Sequence, residues 1–383
     1  MLRTTRIAAA LGVFFVMLAS GLLVGMPVRA AEPYEWTIAV YGDADNNLEG
    51  AWDKYTDPML KLVPASDDVK IVSLLDRFST MTAEIIEYSY GESTAVATYP
   101  EKNLGDPSTL TWFIQEVAGK YPSNKLAVIM WDHGGGWWGV CWDDTDHDYL
   151  TLPEFSAGVS NAGVYIDVLG FDACMMAGIE VVYDSYLTGL VGMMVASEQL
   201  VPYNGFPYDL MFTPLASDPL MTKEEVADSM VYGWQMYYGN KGTVDLSAID
   251  VSVIGRVVQN EFLTWVDAMD ANLDMYLDDY LKAYKKSEMV KGWYIVDMAQ
   301  FAMRLQMDRD ITDAALKAAT SALVSAIDLG VNAQSGGGKT PLAGMTLWFG
   351  IDGEYANYGL DYSMLSFAVD TGWYDFMSGV NGY

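Results

Sequence analysis

Leu126-Ala127-Val128-Ile129-Met130-Trp131-Asp132-His133-Gly134-Gly135-Gly136-Trp137 is an apolar run of strand length that stops at a histidine and a glycine run. Tyr165-Ile166-Asp167-Val168-Leu169-Gly170-Phe171-Asp172-Ala173-Cys174-Met175-Met176 has the same form and stops at a thiol. In an open α/β sheet, ligands bind outside the carboxyl ends of the strands. Two parallel neighbours ending this way bring an imidazole and a thiol to one crevice. A cysteine nucleophile requires that arrangement. The His holds the sulfur as thiolate, and small residues leave backbone N–H groups free for an oxyanion.

The pattern extends outward from these two stretches. Residues 36–41 and 69–75 read as strands, and residues 83–88 and 94–99 as a hairpin turning at Gly91. Pro107-Ser108-Thr109 opens a helix running to Tyr121, with Asp106 as its N-cap. A short helix is expected over residues 153–161 and a longer one over residues 173–187, followed by a strand over residues 191–196. Strands alternating with helices predict an α/β fold with a mainly parallel sheet covered on both faces. From Thr222-Lys223-Glu224-Glu225, a helix start by its cap chemistry, helical patterns dominate to about Gly330. The strand-like residues 243–249 interrupt them. Ser335-Gly336-Gly337-Gly338 reads as a flexible loop, residues 345–349 as a strand, and the aromatic-rich residues 362–377 as helical. The division expected is a leader over residues 1–30, a core over 31–220, and a helical region over 221–383 whose last strand and helix complete the fold.

The leader reads as an export signal. Arg3 and Arg6 precede the uncharged apolar residues 7–26, and Val28-Arg29-Ala30 presents small residues at the −3 and −1 positions of a cut after Ala30. The apolar stretch is also long enough to anchor the chain in a membrane if it is not removed. Both readings put the folded part outside the cytoplasm. Asp and Glu number 51 against 21 Lys and Arg, a net charge of −30. That sign argues against nucleic acid, whose phosphates require cationic surfaces, and draws in cationic peptides or proteins. Hydrophobic residues at 51% exclude a disordered acidic tail.

The chain resembles the clostripain family of cysteine peptidases, in the same clan as caspases, legumain and gingipains. The resemblance rests on Tyr41-Gly42-Asp43-Ala44-Asp45-Asn46-Asn47-Leu48, the two motifs above, Ala196-Ser197-Glu198, Gly205-Phe206-Pro207-Tyr208 and the closing residues 348–373. It implies a caspase-like three-layer α/β/α sandwich and endopeptidase activity on peptide or protein substrates carrying Arg or Lys at P1. Carried over by residue, Cys174 is the nucleophile and His133 its partner. The N–H of Gly134 or Gly135, with that of Cys174, forms the oxyanion hole. Asp172 matches the acid at the base of the S1 pocket, where a carboxylate pairs with a guanidinium.

Duller roles compete for the same residues. Asp172 is also a fitting N-cap for a helix beginning at Ala173, and Glu198 either lines the pocket or bonds the backbone of the Gly205 turn. Asp43, Asp45, Asn46 and Asn47 read as turn-formers. The loop Asp143-Asp144-Thr145-Asp146-His147-Asp148 clusters carboxylates at Asp143, Asp144, Asp146 and Asp148 as Ca²⁺ prefers, without the glycine and terminal Glu of an EF-hand loop. The alternatives are a solvated acidic loop and, following the family's calcium dependence, a Ca²⁺ site. The chemistry itself requires no cofactor, and the two His and two Cys show no zinc spacing.

Two features depart from the family pattern. Some relatives mature by cutting after a basic residue between the His and Cys strands, yet no Lys or Arg occurs from Leu126 to Thr222. A single chain active without that nick, or one activated by removal of an N-terminal piece, is expected. Cys141 lies on the loop leaving the His133 strand, and exported chains commonly pair their cysteines. A Cys141–Cys174 bond would block the nucleophile. The alternative function is therefore an inactive or redox-gated surface protein binding cationic partners on the same fold. A thiol esterase or transpeptidase, and a calcium-binding adhesion module, are further rivals.

Overall fold

Five parallel strands at the centre of the sheet explain why the two motifs meet. In the computed structural model, which describes residues 33–239, 244–290, 292–336, 342–351 and 353–383, fourteen strands form three sheets. In chain order they are β1 (Tyr34–Ala44), β2 (Val69–Arg77), β3 (Thr82–Ser89), β4 (Glu92–Pro100), β5 (Ser123–Trp131), β6 (Val140–Asp143) and β7 (Asp148–Leu150). Then follow β8 (Ile166–Asp172), β9 (Val191–Ala196), β10 (Leu246–Asp250), β11 (Met289–Val290), β12 (Ile295–Asp297), β13 (Val331–Ser335) and β14 (Thr346–Trp348). The main sheet runs β13-β10-β9-β8-β5-β1-β2-β3-β4. Strands β9, β8, β5, β1 and β2 are mutually parallel, and each edge is finished by antiparallel strands.

Alternating side chains feed two cores, as a sheet buried on both faces demands. On one face Tyr41, Val128, Met130 and Phe171 pack under the helices Pro107–Lys120, Leu152–Ala162 and Ile179–Thr188. On the other, Trp36, Ile38, Val40, Ile129 and Trp131 pack under Tyr208–Ser217 and Lys223–Tyr238. The result is the expected α/β/α sandwich. Strands β10 and β13, from beyond residue 220, extend the same sheet.

Local chemistry sets the helix boundaries. Asp106 accepts from Ser108 N–H at 2.7 Å and caps Pro107–Lys120. Thr222 and Glu225 form a reciprocal capping box at the start of Lys223–Tyr238. The helix expected from Ala173 begins instead at Ile179, because the Met175 and Ala177 N–H groups are committed to the carbonyls of Gln199 and Ser197. Met175 also adopts φ +62°, which no helix accommodates. Asp172 is therefore not a helix cap; Gly178 holds that position.

The expected export signal or anchor over residues 1–30 lies outside the described residues, as do Gly337 and Gly338 of the expected loop. Ser335 of that loop ends strand β13. No helix among the described residues is long and apolar enough to cross a membrane.

Candidate active site

At or just beyond the carboxyl ends of the five parallel strands stand Asp45, Asp76, Asp132, Asp172 and Glu198. The register pairs Asp43 of β1 with Asp76 of β2, Gly42 of β1 with Trp131 of β5, and Trp131 with Asp172 of β8. From β1 the chain runs outward through β2, β3 and β4, then returns to place β5 on the other side of β1, where the strand order reverses. The crevice of an open sheet lies at that switch point, and Asn47 and His133 meet across it.

His133 Nε2 lies 2.9 Å from Asn47 Oδ1. An amide oxygen only accepts, so Nε2 carries the proton and Nδ1 is the basic nitrogen. The turn carrying His133 is fixed by its neighbour Asp132. That carboxylate accepts from Asn46 Nδ2 at 2.7 Å and from Trp142 N–H, while Asn46 also bonds the Trp142 carbonyl at 2.8 Å. Asn46 is still a turn-former, since its Oδ1 accepts from Leu48 N–H at 2.8 Å. The roles of Asn46 and Asn47 across the crevice were missed in the sequence, where short polar residues after a strand read first as a turn.

Gly134 packs its backbone directly on Cys174. A Cβ at Gly134 would lie 2.3 Å from the Cys174 carbonyl oxygen and 2.9 Å from its nitrogen, so glycine is required there. The Gly135 N–H donates to the Gly139 carbonyl at 2.9 Å, and His133 O accepts from Cys141 N–H at 3.3 Å. Between those two bonds Gly134 is a non-hydrogen-bonded pair with Val140, and its N–H points away from the hairpin. The oxyanion candidates thus narrow to the N–H groups of Gly134 and Cys174.

Cys174 is half-buried, and its thiol faces the Val201 carbonyl at 3.9 Å. Burial raises its pKa, with the charges of Asp172 and Asp132 adding to the shift and the Val201 contact opposing it. Burial lowers the His133 pKa, against the pull of Asp144. Both shifts run toward the neutral pair, thiol and imidazole, and against the resting thiolate expected from the sequence. Both cysteines are free. Cys141 is fully buried in the core with its thiol pKa raised, chiefly by burial.

Two cavities flank the dyad, and His133 and Cys174 line both. One, of about 210 Å³, is also lined by Trp131, Asp172, Val201, Pro202, Tyr203 and Gly205. The other, of about 460 Å³, is walled by Trp138, Trp142, Tyr149, Met175, Leu200 and Trp293. Asp172 accepts from Phe206 N–H and the Tyr208 hydroxyl, each at 3.0 Å, and burial pushes its pKa up to about 7. Gly205, at φ +64°, is the only residue type that fits there, since a Cβ would lie 2.8 Å from Asp172 Oδ2. Glu198 lines neither cavity, correcting both expectations for it. It is fully buried, and its carboxylate accepts from Gly344 N–H at 2.6 Å instead of bonding the Gly205 turn.

The acidic loop folds as the turn of the β6–β7 hairpin. Only Asp143 turns inward; Asp144 and Asp146 are exposed, and Asp148 accepts from Asn103 at 2.8 Å. Asp143 joins Asp45, Asp76 and Glu101, one carboxylate oxygen of each lying within 4.8 Å of the others. Burial and mutual repulsion raise Asp76 to about 6 and Glu101 to about 7. Buried oxygens of Asp45 and Glu101, Oδ2 and Oε1, have no hydrogen-bond partner among the described residues. Lys102 lays its ammonium on the Trp112 ring, 4.4 Å from the centroid, instead of joining the carboxylates. The other such group among the described residues, Asp279, Asp308 and Asp310, already holds the Lys282 ammonium in its midst.

Comparison with known proteins places the chain. Residues 40–379 match the model of the clostripain family. Clostripain from Hathewaya histolytica is 29% identical over 300 residues, covering 67% of this chain and 54% of that protein. The chain thus spans about half the length of this curated relative. An inactive zymogen C11 protease from Parabacteroides distasonis superposes with a TM-score of 0.72 at 15% identity, over 89% of this chain and 99% of that one. A secreted C11 cysteine protease from Bacteroides thetaiotaomicron, in complex with an irreversible peptide inhibitor, gives a TM-score of 0.68 at 15% identity, with the same coverage of both chains. At that identity the structural likeness speaks for the fold.

Proposed function

We propose that this chain, which belongs to the clostripain family, is an exported cysteine endopeptidase that hydrolyses peptide bonds after Arg or Lys. The observation that carries the reading is the placement of His133 and Cys174 at the ends of adjacent parallel strands, between two cavities they share. The P1 side chain enters the smaller cavity, where its cation meets Asp172. Sγ of Cys174 attacks the scissile carbonyl as His133 Nδ1 takes the thiol proton. The tetrahedral oxyanion is held by the N–H groups of Gly134 and Cys174. His133 returns the proton to the leaving amine, and water, deprotonated by the same imidazole, releases the acyl group. Thiol and imidazole carry each of these steps.

Treating the protein with an arginyl acyloxymethyl ketone and mapping the adduct tests the reading. A single adduct on Cys174, suppressed by a competing arginine peptide, is expected. Modification of Cys141 alone, or none in the reduced protein, would contradict it and favour the binding-protein alternative.

The calcium reading moves from the acidic loop to Asp45, Asp76, Glu101 and Asp143. Oxygen-only donors around orphaned buried carboxylate oxygens fit a hard cation. Bound there, Ca²⁺ would neutralise the cluster and tie the turn bearing Asn47 to the hairpin behind His133. A hundredfold excess of ion over its Kd would stabilise the fold by about 2.7 kcal/mol. Melting curves with Ca²⁺ and with chelator should separate accordingly, and Asp45→Asn should abolish the difference.

A further inference from the structure

The geometry points to a second substrate subsite on the leaving-group side of the scissile bond, built for a large apolar or aromatic P1′ residue. This inference rests on the peptidase reading above and names a further part of its substrate.

The dyad stands between two cavities of different chemistry. The one holding Asp172 takes the P1 side chain, so the other receives a neighbouring residue of the same peptide. Asn47 and Gly134 line the second cavity and not the first. Asp172, which meets the P1 cation, lines only the first cavity, while His133, which protonates the departing amine, also lines the second, so the residue carrying that amine is assigned to this side.

Its walls are aromatic and held in place. Trp142 and Tyr149 face each other across the β6–β7 hairpin and stack at 4.9 Å, 5° from parallel. Trp138 packs edge-on against Trp293 at 5.5 Å and against Tyr358 at 4.8 Å. Rings fixed by one another lose little conformational freedom when a ligand binds, which favours affinity. Met175 forms part of the lining, and Leu200, 52% exposed, stands at the rim. About 460 Å³ lies within the ~300–1,000 Å³ typical of small-molecule sites. The exposed Asp144 is the acid at its mouth. The cavity's chemistry is apolar contact with one acidic edge, which suits an apolar side chain and disfavours an acidic one.

The test uses the full chain and peptides with Arg fixed at P1, varied at P1′ (Trp, Leu, Ala, Asp) and separately at P2. In parallel, binding of Trp-Gly-Gly and Ala-Gly-Gly to the Cys174→Ala protein is measured by calorimetry. Trp should exceed Ala at P1′ about tenfold in kcat/KM, within the range apolar pockets achieve, and Trp-Gly-Gly should bind more tightly by a similar factor. Trp293→Ala, and independently Leu200→Asp at an exposed position, should bring both ratios to within about twofold. Thiol-dependent cleavage after Arg with no P1′ preference, or a preference found at P2 instead, overturns the subsite and leaves the peptidase reading standing. Absence of cleavage together with selective Trp-Gly-Gly binding overturns the peptidase reading and supports the subsite. Equal binding of the two tripeptides overturns the subsite whatever the activity.

Discussion

At the scale of single residues, the site depends on groups that control proton positions. Asn47 is the example: its carbonyl oxygen selects the imidazole tautomer. Replacing it with Asp puts an ionised acceptor against Nε2 and stabilises the imidazolium. The acid limb of the kcat profile should then move to higher pH, with kcat at neutral pH reduced about tenfold or more; an unchanged profile would remove Asn47 from the mechanism. Asp172 makes a separate prediction. Its carboxyl, with a pKa of about 7 in the free protein, must be ionised to meet a cation. For an arginine substrate kcat/KM should therefore rise as pH increases through 7, and a citrulline substrate should lack that limb. Cys174 and His133 were legible because a rare reactive residue interrupts an apolar run. Glu198 misled because sequence proximity to the site says nothing of direction: its carboxylate points to Gly344, away from the cavities.

Among the elements, the central strands were legible because burial on both faces requires near-continuous apolar runs; β9 has the expected bounds. The segment after Cys174 was not, since its helix-like composition is overridden by the hydrogen bonds that clamp Met175 and Ala177 to the end of the next strand. Strands of two or three residues such as β11 and β12 carry too few side chains to show alternation, and β13 lies between the expected helical stretch and loop, whereas β14 falls within the strand expected over residues 345–349. Helix starts fared better because capping is local. The Thr222 box predicts that Thr222→Ala costs about 1 kcal/mol, read as a shift in denaturation midpoint at constant m-value. No shift would show that the box contributes nothing to the folded state.

For the whole molecule, charge and chain integrity follow from composition. The absence of Lys and Arg from Leu126 to Thr222 spans β6, β7 and the helix Leu152–Ala162 between the two catalytic strands. A peptidase specific for basic residues cannot cut itself there. Active protein should run as one polypeptide across this segment, and intact-mass measurement of the active preparation checks it. Fragments divided between His133 and Cys174 would mean another protease or another P1 specificity. The central claim is tested most directly by kcat/KM for peptides differing only at P1 (Arg, Lys, Asn, Asp, Ala), with and without reductant, beside Cys174→Ala. Thiol-dependent cleavage confined to Arg and Lys, and absent in the variant, is the predicted result. Equal cleavage after Asn, Asp or Ala, or activity surviving in Cys174→Ala, would contradict it.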